Sequence, residues 1–190
     1  MGTTPTSKTS EVNKKQRSLI RRFGADRRGS VAIEFVMLIL PFTLLVFAVI
    51  ETCISFAAQQ MMANATDDLS RSLRTGKIKP ADATPASIRD TICNEIEVLV
   101  STGCPGLELD LREYANFASV PTTIPYTPSG DVNTSGFLIT PGGSETINSL
   151  RVFYRWPIMT DFMRSRLSTL PDGKTLLYST MTWRNEPYTL

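Results

Sequence analysis

Two carboxylates stand where carboxylates are costly. Glu34 and Glu51 are the sole charges between Val31 and Ala58, and the run FVMLILPFTLLVFAVI from Phe35 to Ile50 carries none. An unpaired carboxylate inside an apolar helix costs a few kcal/mol on membrane-insertion scales, so Glu34 requires either a partner or a place in the hydrated headgroup zone. The chemistry these residues can carry is charge pairing within an apolar layer. Bond-making chemistry has little to work with. The chain has no histidine, which removes the usual general base, the usual triad member and the commonest zinc ligand. Its three cysteines, Cys53, Cys93 and Cys104, are too few for a structural zinc site by themselves. The Ser, Lys and carboxylate residues form no recognisable nucleophile arrangement, and no G-x-x-x-x-G-K-[ST] loop is present to bind ATP. The sequence therefore reads as non-enzymatic, with no cofactor, no metal and no small-molecule substrate.

The element that must position Glu34 is a long apolar helix. A hydrocarbon core needs roughly 20 residues at about 1.5 Å each, which the stretch from Val31 onwards supplies, whereas a buried helix of a soluble domain rarely stays free of polar faces for so long. The charge balance sets its direction. Met1 to Gly29 hold eight Lys and Arg against Glu11 and Asp26, a net +6, which leaves −4 on the rest of a chain whose total is +2. Arg27 and Arg28 almost touch the span, and the first basic residue beyond it is Arg71, so the positive-inside rule keeps the N-terminus cytoplasmic and exports everything after about Ala58. A cleavable signal peptide ending near Ala57 is the competing reading. Its apolar region would exceed the roughly 7 to 15 residues usual there, and Glu51 interrupts its end. Pro41 removes one helical hydrogen bond and marks an expected kink. With 190 residues the chain is about one domain plus flanks, divided as a leader at 1–29, a span at 30–58 and an exported domain at 59–190. The basic leader beside a membrane span is explained by topology and anionic lipid, and no base-reading motif accompanies it, so no nucleic-acid partner is expected.

The head of the span, Arg27-Arg28-Gly29-Ser30-Val31-Ala32-Ile33-Glu34-Phe35, resembles a prepilin of the type IV pilin superfamily, specifically the TadE-like proteins of its tight-adherence (Tad/Flp) branch. The resemblance implies cleavage of the Gly29–Ser30 bond by an integral-membrane aspartyl prepilin peptidase. Glycine allows close approach and an extended backbone, and the cut would expose a cationic α-amino group at the lip of the membrane. Glu34 would become the fifth residue of the mature chain, followed by Phe35, and the family implies that it meets the N-terminal amine of a neighbouring subunit. Glu51 matches a glutamate that recurs in TadE-like proteins, and it can equally be read as a marker of the membrane boundary. The closing Arg184-Asn185-Glu186-Pro187-Tyr188 looks like the Arg-Asn-Glu-Pro-aromatic ending of many such proteins. A head domain far larger than that of the small major Flp pilin argues for a minor pilin or pseudopilin.

The exported part reads as α+β. Ala58, Met61, Met62, Ala65, Leu69 and Leu73 continue an apolar stripe, so that one helix runs from Ser30 to about Thr75, on the order of 70 Å. Thr84 as cap and Pro85 in the first turn open a second helix with Ile88, Ile92, Ile96, Leu99 and Val100 on one face. Leu107, Leu109 and Leu111 alternate with charges, and 147–156 and 174–184 carry period-two β-branched and aromatic residues, giving an antiparallel sheet of about three to four strands. Cys93 and Cys104 lie outside the cytoplasm by this topology and can close a short loop, a staple of roughly 3 kcal/mol, while Cys53 reads as a small apolar residue of the span. Ser119 to Glu145, rich in Pro, Thr, Ser and Gly, reads as an exposed loop.

These features predict a single-pass, N-in protein of a bacterial inner membrane with its C-terminal domain in the periplasm. Its expected partners are other Tad/Flp pilins, the pilus assembly platform and the prepilin peptidase. The alternative is an uncleaved bitopic protein whose periplasmic domain binds another envelope component.

Overall fold

The computed structural model describes residues 30–189, with Ser30 and Phe162 described by backbone alone. The basic leader and Gly29 lie outside the described residues. By contacts the chain divides into two units, 1–47 and 48–190.

The described part of the first unit is the opening of helix α1, Ser30–Arg74. Its apolar side chains are exposed on every side, Val31, Phe35, Leu38, Leu40, Leu45 and Phe47 among them. Pro41 is accommodated inside the helix, and α1 is long and apolar enough to cross a membrane.

In the second unit α1 becomes one-sided. Ala58, Met62, Ala65, Leu69 and Leu73 are buried at three- and four-residue steps, the pattern that places one helical stripe against a core. The helix ends where Gly76 adopts φ +72° and its amide bonds Leu73 O at 3.2 Å, a left-handed stop that glycine adopts without steric cost. Helix α2, Pro85–Ile96, starts as its sequence dictates: the Thr84 hydroxyl accepts from Ser87 N, and Pro85 occupies the first turn. It stops at Ile96, and Leu99 and Val100 pack against the core from the turn that follows.

Strands β1 (Leu107–Tyr114), β2 (Ile139–Thr140), β3 (Ile147–Trp156) and β4 (Thr175–Arg184) form a four-stranded sheet in the order β2-β1-β3-β4. The three long strands are antiparallel, with Leu111 opposite Leu150 and Tyr154 opposite Leu177. The short β2 runs parallel to β1, Leu111 opposite Ile139, so the sheet is mixed. This parallel edge follows from the long return between Tyr114 and Ile139, which brings the chain back in the same direction. Leu107, Leu111, Leu150, Val152, Tyr154, Trp156, Leu177 and Trp183 face the helices and complete one core.

The opposite face of the sheet is covered as well, which corrects the reading of 119–145 as an exposed loop. Val132 and Phe153 are buried together with Leu170, and Phe137 stacks on Phe153 with ring centroids 4.9 Å apart. The cause is Phe153, a large apolar side chain on a face of β3 that otherwise carries Ser149, Arg151 and Arg155, which needs a cover that the polar connection supplies with a few apolar residues. A short helix that the periodicity did not reveal, α3 (Asp161–Leu167), lies between β3 and β4.

Candidate assembly segment and its anchorage

The described residues at the head of α1 are exposed. Ser30 is the first helical residue, and Glu34 and Phe35 follow in the next turn, with Phe35 62% exposed. A cylinder that is apolar all round is stable in a bilayer or in a bundle of similar helices. Its intrinsic capacity is lateral packing, and among the described residues no group of His, Cys, Asp and Glu could hold a metal ion.

Glu51 is the residue whose role the sequence left open. It is 8% exposed, and its carboxylate accepts from Met159 N at 2.5 Å, from Thr160 N at 3.3 Å and from the Thr160 hydroxyl. Each acceptor oxygen is used. A buried carboxylate is tolerated only with such partners, so Glu51 is a tie between α1 and the start of α3. A sequence signal for this existed only in its type, a charge at the end of an apolar run, since its partners lie more than a hundred residues away.

Cys93 and Cys104 are joined by a disulfide with Cα atoms 5.8 Å apart. Gly103, Cys104 and Gly106 all have positive φ in the turn that returns the chain to β1. Arg89 holds this turn from α2, donating to Leu107 O at 2.6 Å and Cys104 O at 2.8 Å. Cys53 is exposed on α1 and has no part in the pairing.

The C-terminal pentad is a clamp. Asn185, 5% exposed, accepts from Trp183 Nε1 at 2.7 Å and donates to Gly142 O at 3.0 Å and Gly143 O at 2.7 Å. Glu186 N bonds Arg74 O at 2.9 Å, and Arg74 pairs with the Glu186 carboxylate at 3.3 Å. The Tyr188 ring fills the space beside Gly76, where a Cβ would lie 2.6 Å from its Cγ. Packing within the clamp pushes the Tyr188 hydroxyl above its ordinary pKa, chiefly by desolvation, with Asn185 opposing. The pentad thus fastens the end of α1 to the 142–146 turn.

On the second face of the sheet, Arg151 donates to Asp110 from Nε at 3.0 Å and from Nη2 at 2.5 Å. Asp110 also accepts from Leu138 N at 3.1 Å and from Arg112 Nη2 at 2.8 Å, while Arg112 Nε pairs by charge alone at 2.8 Å without hydrogen-bond alignment. Side-chain exposures of 1% for Asp110 and 4% for Arg151 make this a buried ion pair. Nearer the surface Asp131 pairs with Arg155 at 2.5 Å, and that hydrogen bond holds the Asp131 carboxyl below its ordinary pKa.

No match was found among curated proteins or solved structures. A family model described as TadE-like protein matches residues 29–71, beginning at Gly29 and covering α1 through Arg71. Residues 29–71 of this chain are thus similar to TadE-like proteins.

Proposed function

We propose that this chain is a non-enzymatic minor pilin or pseudopilin of a tight-adherence pilus, cut between Gly29 and Ser30 and assembled through the first half of α1. The observation that carries this reading is the coincidence of the TadE-like match with the exposed apolar helix that bears Glu34. In the proposed topology residues 1–29 are cytoplasmic, the span lies within 30–58, and the folded head faces the periplasm of a single-pass inner-membrane protein. Lateral contacts with other pilins and the assembly platform would replace lipid around the helix. The Glu34 carboxylate meets the new α-amino group of a neighbour, so that its charge favours ordered side-by-side packing.

The test is the mature N-terminus, determined by intact mass and terminal sequencing of membrane fractions from cells with and without the prepilin peptidase. Peptidase-dependent Ser30 is the expected result. An intact N-terminus in both strains points to the uncleaved bitopic alternative, and a start near Ala58 overturns the membrane-assembly reading.

A further inference from the structure

Met159 is 76% exposed although it is flanked by the buried Ile158 and hydrogen-bonded through its backbone to buried Glu51. That bond fixes its level along α1. Counting from Val31 to Ile50 at about 1.5 Å per residue gives a span of about 30 Å, the thickness of a hydrocarbon core. Glu51 is therefore at the boundary of the layer, and Met159 with it. Ile50 and Val49 are 48% and 55% exposed at the same end of the head unit, and Phe56, 71% exposed, lies farther along α1 beside a groove it lines with Leu167. Between Met159 and Leu167 come Arg164 and Arg166, both exposed. The segment thus places an exposed apolar residue at the level where the apolar run ends and cations several residues beyond it. This is the order of an interfacial anchor that buries apolar side chains and leaves basic ones among headgroups.

We propose that the segment 157–167 is a membrane foot, a surface of the head that rests on the outer leaflet of the membrane α1 crosses, with Met159 inserted and Arg164 and Arg166 facing anionic headgroups. The inference rests on the membrane-anchored reading above. The occupant is lipid because Met159 is held, through Glu51, at the level where the apolar run of α1 ends, and because the segment keeps one net positive charge after Arg164 pairs with Asp161 at 3.0 Å. A head held down at this point has one orientation on the bilayer before it is withdrawn into an assembly.

The experiment uses the full chain with Cys53→Ser, the disulfide intact, reconstituted at high lipid excess in vesicles of phosphatidylethanolamine and phosphatidylglycerol. A spin label is attached at Met159→Cys, at Phe117→Cys as the aqueous reference and at Leu45→Cys as the bilayer reference. The ratio of collisions with oxygen to collisions with a water-soluble nickel chelate reports depth. The expected result is a ratio at 159 several-fold above that at 117 and below that at 45, falling when Arg164 and Arg166 are both changed to Glu or when phosphatidylcholine replaces the anionic mixture. A ratio at 159 equal to that at 117, with 45 in the bilayer, overturns the foot and leaves the anchor standing. Low accessibility of 159 to both reagents means that protein covers it, such as a second copy, and also overturns the foot. An aqueous signal at 45 removes the anchored reading itself.

Discussion

Thr160 donates twice to Glu51, from its amide and from its hydroxyl, across 109 positions of sequence. A carboxylate at the end of an apolar run is thereby converted from a liability into the joint that ties α1 to the start of α3.

Glu51→Ala leaves the Met159 and Thr160 amides without an acceptor and is expected to lower stability by about 1–3 kcal/mol, whereas Thr160→Val, which removes one hydroxyl bond, costs about 1 kcal/mol. Urea unfolding of the full chain in detergent micelles, followed by the fluorescence of buried Trp156 and Trp183, measures both. Equal losses for the two variants would mean that the amides are not held by Glu51.

The Cys93–Cys104 loop closes over a separation of 11 residues. In the chain-entropy account, opening so short a loop costs roughly 3 kcal/mol, so reduction should move the urea midpoint down, and a Cys93→Ala, Cys104→Ala variant should match the reduced protein. A midpoint indifferent to reductant would show that α2 and the turn at Cys104 hold without the staple, through Arg89.

Removing one partner of a buried ion pair costs more than removing both. Arg151→Met leaves buried Asp110 with Arg112 and the Leu138 amide alone and is expected to cost about 3 kcal/mol, and adding Asp110→Leu should recover part of that loss. Strictly additive losses across the cycle would argue that the pair makes no coupled contribution.

Asp131 titrates below its ordinary value of 3.8 because Arg155 hydrogen-bonds its charged form. Its folded-state pKa is depressed, so its contribution to stability is present above the ordinary value and is lost as pH falls through the lower folded value. With the side chain 38% exposed the effect is small. Between these two values the stability of the native chain should fall more steeply with decreasing pH than that of Asp131→Asn, and parallel acid-unfolding curves would contradict the assignment.

Asn185→Ala empties a site that serves the Trp183 indole and the carbonyls of Gly142 and Gly143, and a loss of about 2–3 kcal/mol follows from stranding buried polar groups. Hydrogen exchange should show the faster opening concentrated at 142–146 and at the end of α1. Uniform acceleration would deny the clamp a local role.

The long helix from Ser30, the Thr84-capped helix and the three long strands were legible in the sequence because each rests on local periodicity and caps, which neighbouring residues specify. The TadE-like resemblance was legible too, since the residues from Gly29 to Phe35 that carry it lie within a few positions of one another. What could not be read locally depended on distant partners. The two-residue β2 has no periodicity to detect, α3 spans only seven residues, and the cover over Phe153 comes from a polar connection with only scattered apolar residues. Glu51 and the Arg184–Tyr188 pentad were visible as residue types, but whether a carboxylate marks a boundary or makes a joint is decided by what the fold brings to it. Sequence alone determined the apolar helix and its charges; tertiary structure decided which charges are buried, because burial and hydrogen bonding belong to pairs that meet only after the chain has folded.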